Sequence, residues 1–306
     1  MYDIIIIGAG AAGMNAALYA GRGGMKTLVI EKLSCGGQAV KTYEIDNYLG
    51  FSDNPTGLEL ASAMEKHAKK FGAEFTAENV REIRNADQPV KTVVTRKNEY
   101  QTKSIIFATG ASPKKLGIEG EDKFFGSGIS YCATCDGAFF KGYDVVVIGG
   151  GNTACEDALY LANFCENVYL LNRSKRFRAA ATILDKVKAN PKITIYTDIV
   201  AESFEGNISL ERVIVKNTAT GERGFINAAG AIIAIGITPE SQLAKSCGVE
   251  TCELGFIKTD IYMKTNIDGI YSAGDVRTTP LRQVITAAAD GAVAATSAVN
   301  YVNEMN

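Results

Sequence analysis

Cys132-Ala133-Thr134-Cys135 is the part of this sequence with the most evident chemistry. Two cysteines three positions apart can close a small disulfide ring, and in such motifs one thiol commonly ionises near neutral pH. A thiolate of that kind attacks a partner's disulfide through a mixed disulfide. A zinc site would need about four ligands, commonly two such cysteine pairs or added histidines. The chain has no second Cys-x-x-Cys and only one histidine, so the pair reads as a redox dithiol and no metal is expected. Asp136 follows the second cysteine. It can serve as acid or base for thiol protons, or it can be an ordinary exposed turn residue. The remaining five cysteines read as structural. Cys155 and Cys165 fall in the apolar pattern of a helix, Cys35 stands beside Gly36-Gly37, and Cys247 and Cys252 have no further ligands near them in sequence. His67, in the charged stretch EKHAKKFG, reads as a surface residue.

A dithiol that turns over needs an electron source, and two glycine turns supply candidates. Gly8-Ala-Gly10-Ala-Ala-Gly13 follows the apolar run DIIII and opens a helix pattern. The first glycine permits a tight turn, the second lets a pyrophosphate approach the backbone, and the third lets helix and strand pack closely. The helix start then offers free N–H groups and partial positive charge to phosphates. Glu31 ends the next strand, where a carboxylate can accept bonds from ribose hydroxyls. The second turn is Gly149-Gly150-Gly151-Asn152-Thr153-Ala154, with alanine in the third place. Glu31 stands 23 positions after Gly8, and Asn172 stands 23 positions after Gly149. Where the first copy has an acid the second has an amide, followed by Arg173, Lys175, Arg176 and Arg178. A missing carboxylate with nearby cations favours a 2′-phosphate, hence NADPH over NADH. The plainer alternative is a solvated basic loop.

These turns require β-α-β units. The first spans Tyr2–Lys32 and the second Tyr143–Arg173, each with continuous apolar strands of the kind found in parallel sheets. Each copy has a later apolar strand ending in glycine, IIFATGASP with Gly110 and AIIAIGITP. The tail Gly255–Asn306 carries two strand patterns, GFIKTD and GIYSAGD, and an alanine-rich helix pattern from about Gln283. It is too short for a third domain and is assigned to the first. The expected fold is therefore α/β, with two Rossmann-like, three-layer dinucleotide-binding domains, the second inserted in the first. The expected division is 1–113 with 242–306, and 114–241. Crossings are expected near Ser112–Leu116 and Pro239–Leu243. The length of 306 residues suits two domains. A net charge of −2 gives no nucleic-acid footprint. Seven cysteines in so long a chain do not form a secreted disulfide scaffold, which points to a reducing, cytoplasmic setting. The N-terminal apolar run lacks a basic flank and is broken by glycines, so neither a signal peptide nor a membrane span is expected.

Taken in order, GAGAAG at Gly8, CGGQ at Cys35–Gln38, EIDNYLGF at Glu44–Phe51, CATCDG at Cys132–Gly137, GGGNTA at Gly149, GIYSAGDV at Gly269–Val276 and LRQVITAAADG at Leu281–Gly291 resemble the low-molecular-weight thioredoxin reductases. The resemblance covers essentially the whole chain. It implies FAD on Glu31, Gly36, Gly37, Gln38, Asn47, Gly274, Asp275, Arg282, Gln283 and Val284, with Gly8, Gly10, Gly13 and Gly110 completing that site. It implies NADPH on Gly149, Gly151, Asn152, Thr153, Arg173 and Arg178. It further implies a homodimer, thioredoxin as the protein substrate, Cys135 as the sulfur nearer the flavin, Cys132 as the one that attacks thioredoxin, and a rotation between domains about the crossings. The sequence departs from the family at one place. The family pattern His-Arg-Arg, three residues, Arg here reads Asn172-Arg173-Ser174-Lys175-Arg176-Phe177-Arg178. This leaves NADH or reduced ferredoxin as alternative donors and a thioredoxin-like protein as an alternative partner. A flavodoxin or ferredoxin reductase of similar fold would not need the dithiol. A non-catalytic flavin redox sensor would use it only to control a binding surface.

Overall fold

A computed structural model describes residues 1–42, 44–53 and 55–305. The chain forms two compact units, Met1–Ser112 with Thr238–Asn306, and Pro113–Ile237 inserted between them. The two crossings, Ala111–Pro113 and Ile237–Pro239, pair with each other as a short two-stranded ribbon.

The first unit is built on a parallel sheet in the order Glu74–Ala77, Thr27–Glu31, Tyr2–Ile7, Glu99–Phe107. The long strand Glu99–Phe107 serves two partners. Its first half pairs antiparallel with Lys91–Thr95, which in turn pairs with Val80–Arg84. Its end, Ile105–Phe107, pairs parallel with Ile270–Ser272 from the tail. The unbroken run Ile4–Ile7 is apolar because both faces of this sheet are covered. Ile4, Ile6, Val29 and Ile106 pack beneath the alanine-rich helices Ala11–Arg22 and Val284–Glu304. Ile5, Ile7, Leu28, Ile30 and Phe107 face the other way, against Ile83, Val93, Ile257 and Val276. The two helices approach closely because glycine and alanine line their seam. A Cβ on Gly291 would stand 2.1 Å from the Ala12 carbonyl oxygen.

The second unit repeats the scheme. Its parallel sheet runs Ile193–Thr197, Val168–Asn172, Val145–Ile148, Gly230–Ile233, Ile129–Ser130. The helix Asn152–Leu161 covers one face, with Ala154, Cys155, Ala158 and Leu161 in the core. A three-stranded antiparallel sheet, Ile199–Gly206, Leu210–Asn217 and Arg223–Asn227, covers the other through Phe204, Val213 and Val215. Register repeats as well. Ile7 lies opposite Ile30 and Phe107, and Ile148 lies opposite Leu171 and Ile233.

Two expected elements differ. GFIKTD is not a strand; only Ile257 makes isolated bridges, to Thr251 and to Arg277. Phe256 and Ile257 are both buried, so neighbouring residues point inward where a half-buried strand would alternate. The helix after Gly151 ends at Leu161, so Cys165, expected in that helix's pattern with Cys155, lies beyond its end. The Asn163 amide there donates to the carbonyls of Leu159 and Tyr160 (3.3 and 3.0 Å), taking over bonds that a further turn would have made.

Candidate functional site: two glycine turns and a disulfide

The first turn lies in the first unit, at the top of the Tyr2–Ile7 strand. Gly8 donates to the Ile30 carbonyl (2.9 Å) and has φ +103°, a conformation suited to glycine. A Cβ on Gly13 would lie 1.9 Å from the Gly8 oxygen, so only glycine lets the helix start so near the strand. Gly10 precedes that helix with open space beside it, and no side chain caps the helix start. Glu31 braces this turn: Oε2 accepts from Ala9 N (2.8 Å) and Oε1 from Leu33 N (3.0 Å). Gly36 N donates to the Ala9 carbonyl (2.7 Å), and a Cβ on Gly37 would sit 3.2 Å from Gly10 Cα. The Cys35–Gln38 loop is thereby laid against the glycine turn. Gln38 precedes a short 3₁₀ turn, Ala39–Lys41.

The tail reaches the same region of the first unit. Gly274 packs on Ala12, where a Cβ would come within 2.9 Å of the alanine methyl. Its N–H donates to Asp290 (3.1 Å), and Asp290 is ion-paired to Arg277 at 3.0 Å. Burial raises the Asp275 carboxyl to about 6, with Asp290 adding and Arg282 opposing. The Arg282 guanidinium stacks over Phe256 at 4.4 Å, and burial pulls its pKa down. Its Nε is buried without a hydrogen-bond partner. Gln283 caps the helix that Val284 begins, and Asn47 Nδ2 donates to Gln283 Oε1 across 236 positions of sequence (3.2 Å). Gly110 belongs to the crossing, where its carbonyl accepts Glu240 N (3.0 Å). An uncapped helix start behind an open glycine, together with a half-buried arginine whose Nε has no hydrogen-bond partner, is a donor set that fits an anionic dinucleotide.

In the second unit the second turn reproduces the first. Gly149 N donates to Leu171 O (3.0 Å), the counterpart of the Gly8–Ile30 bond. The third position is Ala154, whose methyl would lie 2.8 Å from a Cβ on Gly149. Gly151 precedes an uncapped helix and faces open space. Asn152 and Thr153 are exposed in that helix's first turn, and Asn152 Oδ1 accepts Ala180 N (2.8 Å). Arg173, Lys175, Arg176 and Arg178 are all exposed, and among the described residues none has an acidic ion-pair partner.

Also in the second unit, Cys132 and Cys135 are joined by a disulfide, with their Cα atoms 5.3 Å apart. The bridge spans a one-turn helix, Ala133–Asp136. Ala133, almost fully buried, anchors that turn in the core shared with Ala154 and Ala158, leaving both sulfur-bearing residues half-buried. Ser130 holds the turn from behind. Its Oγ accepts Cys132 N (3.0 Å) and donates to Asp136 Oδ2 (2.5 Å). Asp136 is thus half-buried and oriented, unlike a freely exposed turn aspartate. Ser130 is the residue sequence reasoning missed, since a serine two places before a cysteine carries no signal of its own. Burial raises the pKa of four of the other thiols, Cys35, Cys155, Cys165 and Cys247. Burial, helped by Glu65, pushes Cys35 up to about 11, and burial pushes Cys165 there too. Exposed His67 shows no part in any of these sites.

Comparison with known proteins bears on this arrangement directly. Residues 2–291 match the family model described as pyridine nucleotide-disulphide oxidoreductase. The chain is 43% identical over 311 residues to a thioredoxin reductase of Peptoclostridium litorale, covering 100% of this chain and 98% of the relative. It is 41% identical to that of Bacillus subtilis over 306 residues, covering 100% and 95%. The crystal structure of thioredoxin reductase from Streptococcus pyogenes superposes with a TM-score of 0.94 at 39% identity, covering 99% of each chain.

Proposed function

Because the chain belongs to the thioredoxin reductases of low-molecular-weight, bacterial type, enzymes within the pyridine nucleotide-disulphide oxidoreductases, we propose that it carries electrons from NADPH through FAD and the Cys132–Cys135 pair to the disulfide of oxidised thioredoxin. Membership of that family implies FAD and a pyridine nucleotide. The choice of NADPH, and of thioredoxin itself as partner, is our own reading. So are the cytoplasmic, homodimeric setting and the assignment of FAD to residues 1–113 with 242–306 and of NADPH to 114–241.

The observation that carries the proposal is a disulfide held by Ser130 and Asp136 in a chain with two glycine turns of equal register and unequal charge. The first turn, with Glu31, the Gly36-Gly37 loop, Asn47, Asp275, Arg282 and the Gln283–Val284 helix start, would hold FAD. The second, with Asn152, Thr153, Arg173 and Arg178, would hold NADPH, its cations facing the 2′-phosphate. The chemistry these cofactors supply is delivery of two electrons and a proton to the Cys132–Cys135 disulfide.

The chain's own residues then act in order. The Cys132 thiolate attacks one sulfur of the partner's disulfide, forming a mixed disulfide and releasing one partner thiolate. Cys135 attacks Cys132, restoring the internal disulfide and releasing the second partner thiolate. The partner gains two electrons and two protons, one from the Cys135 thiol and one from solvent. Asp136, held by Ser130, moves a proton between Cys135 and solvent.

Anaerobic titration of the purified protein with NADPH, NADH and reduced ferredoxin in parallel tests the donor. Bleaching of the flavin at stoichiometric NADPH is expected, and failure with both nucleotides would overturn the donor assignment. The Cys132→Ser protein should keep flavin bleaching and lose thioredoxin reduction. Full thioredoxin turnover in that variant would overturn the role of the dithiol.

A further inference from the structure

Asn172 occupies the place that Glu31 holds in the first copy, and the fingerprint reads it only as a lost ribose acceptor. Its surroundings give it more to do. The side chain is almost fully buried at the end of the Val168–Asn172 strand. Nδ2 donates both to the Ser174 carbonyl (2.7 Å) and to the Arg176 carbonyl (3.2 Å), so both amide protons are spent on the loop that follows. A Cβ on Gly150 would stand 2.2 Å from Asn172 Oδ1, which puts the amide flat against the middle glycine of the turn. The amide therefore lies between glycine turn and basic loop and touches both. Three further bonds hold the same loop. Ser174 Oγ donates to the Arg176 carbonyl (2.9 Å), Arg178 N to the Gly150 carbonyl (2.7 Å) and Ala180 N to Asn152 Oδ1 (2.8 Å).

We infer that Asn172 is a positioning residue for cofactor choice: its amide folds the loop 173–178 back over the second glycine turn and so presets the cations for a phosphate-bearing adenosine. This rests on the NADPH reading above and explains how a chain without the family's histidine and second arginine can still hold a basic loop in place. It also reverses the simple fingerprint rule. A carboxylate at 172 would put an oxygen where Nδ2 stands, facing two carbonyl oxygens, and lose both donated bonds. Asn172→Asp is therefore expected to release the loop and weaken both nucleotides, without creating an NADH enzyme.

The test uses the full-length holoprotein and its Asn172→Asp and Asn172→Ala variants, with Arg173→Ala/Arg178→Ala as the control. Calorimetry with 2′,5′-ADP and with 5′-AMP reports the adenosine site without involving nicotinamide chemistry. Trypsin cleavage within 173–178 reports the loop. Steady-state rates with a disulfide dye separate KM from kcat. Both Asn172 variants should bind 2′,5′-ADP about tenfold more weakly, as expected for about two lost hydrogen bonds. They should be cut faster within the loop, and should raise the KM for NADPH with kcat nearly unchanged. Asn172→Ala guards against misfolding of the aspartate variant. An Asn172→Asp protein that gains affinity for NADH, or an Asn172→Ala loop cut no faster than the parent's, overturns the inference. If the parent and the double-arginine control bind 2′,5′-ADP no better than 5′-AMP, the NADPH reading fails, while the trypsin rates still decide whether Asn172 holds the loop.

Discussion

Ser130 joins the two ends of the redox turn, donating from Oγ to the Asp136 carboxylate at 2.5 Å while accepting the Cys132 N–H at 3.0 Å. One hydroxyl thus fixes both the backbone of Cys132 and the direction of the Asp136 carboxylate. Removing the acid should cost more than removing its support. Asp136→Asn is expected to lower disulfide turnover about 100-fold or more, in the range of a lost general acid–base group. Ser130→Ala should lower it only several-fold. Stopped-flow kinetics check this. The rate of flavin reduction by dinucleotide should be unchanged in both variants, and an equal loss in that step would remove Asp136 from the thiol chemistry.

Arg282 offers a separation of stability from cofactor binding. Its Nε is buried without a partner, which costs the protein free energy. Arg282→Met keeps an unbranched apolar stem while removing the guanidinium that stacks over Phe256. The flavin-free variant should melt no lower than the flavin-free parent, yet retain FAD at least about tenfold less tightly, the scale of one charge-assisted bond. Parallel melting curves and flavin release assays decide it. A large drop in apoprotein melting would mark the residue as structural.

The two turns differ in the third position, and this difference has a measurable consequence. Gly13→Ala would place a methyl 1.9 Å from the Gly8 oxygen, forcing the helix Ala11–Arg22 away from the strand. Loss of bound flavin is expected, with a clear fall in melting temperature. The reverse change in the second copy, Ala154→Gly, leaves helix spacing intact and costs about 1 kcal/mol of helix propensity. The ratio of flavin to protein absorbance after purification distinguishes them. A fully flavinated Gly13→Ala protein would contradict the geometry.

Asp157 gives a pH signature independent of the cofactors. Burial, with Glu156 adding, raises its carboxyl from an ordinary value near 3.8 to about 7. A carboxyl with a raised folded-state pKa holds its proton more tightly in the native protein. Its stabilising contribution is whole below about pH 4 and is lost as pH rises through about 7. Asp157→Asn should therefore leave the melting temperature at pH 4 little changed and raise it at pH 8 by about 2–4 °C per kcal/mol recovered. Paired melts across that window check it, and an equal shift at both ends would exclude titration as the cause.

Much of this fold was legible because the chain states its plan twice. The equal offsets from Gly8 to Glu31 and from Gly149 to Asn172 became equal strand registers, since a fixed helix and return strand leave the sheet no other spacing. Local patterns were less informative where tertiary contacts decide. GFIKTD, expected as a strand, is pinned as a strap with its adjacent Phe256 and Ile257 both buried. The antiparallel strands Ile199–Gly206, Leu210–Asn217 and Arg223–Asn227 carry no fingerprint and were not anticipated. At the redox turn the cysteines and Asp136 were visible, while Ser130 was not, because its part depends on the turn bringing its hydroxyl between residues 132 and 136. Asn172 was visible only as a missing acid; its donors acquire meaning through the folded loop.

The insertion of one unit into the other also orders events during synthesis. All the strands of the Pro113–Ile237 unit have left the ribosome while the first unit still lacks Ile270–Ser272 and the helix Val284–Glu304. The middle of the chain can thus complete its core as it emerges, whereas the outer unit must hold its N-terminal half open until the last residues are translated. Flavin, which would need Asp275 and the start of that helix, could then be taken up only once both have been made.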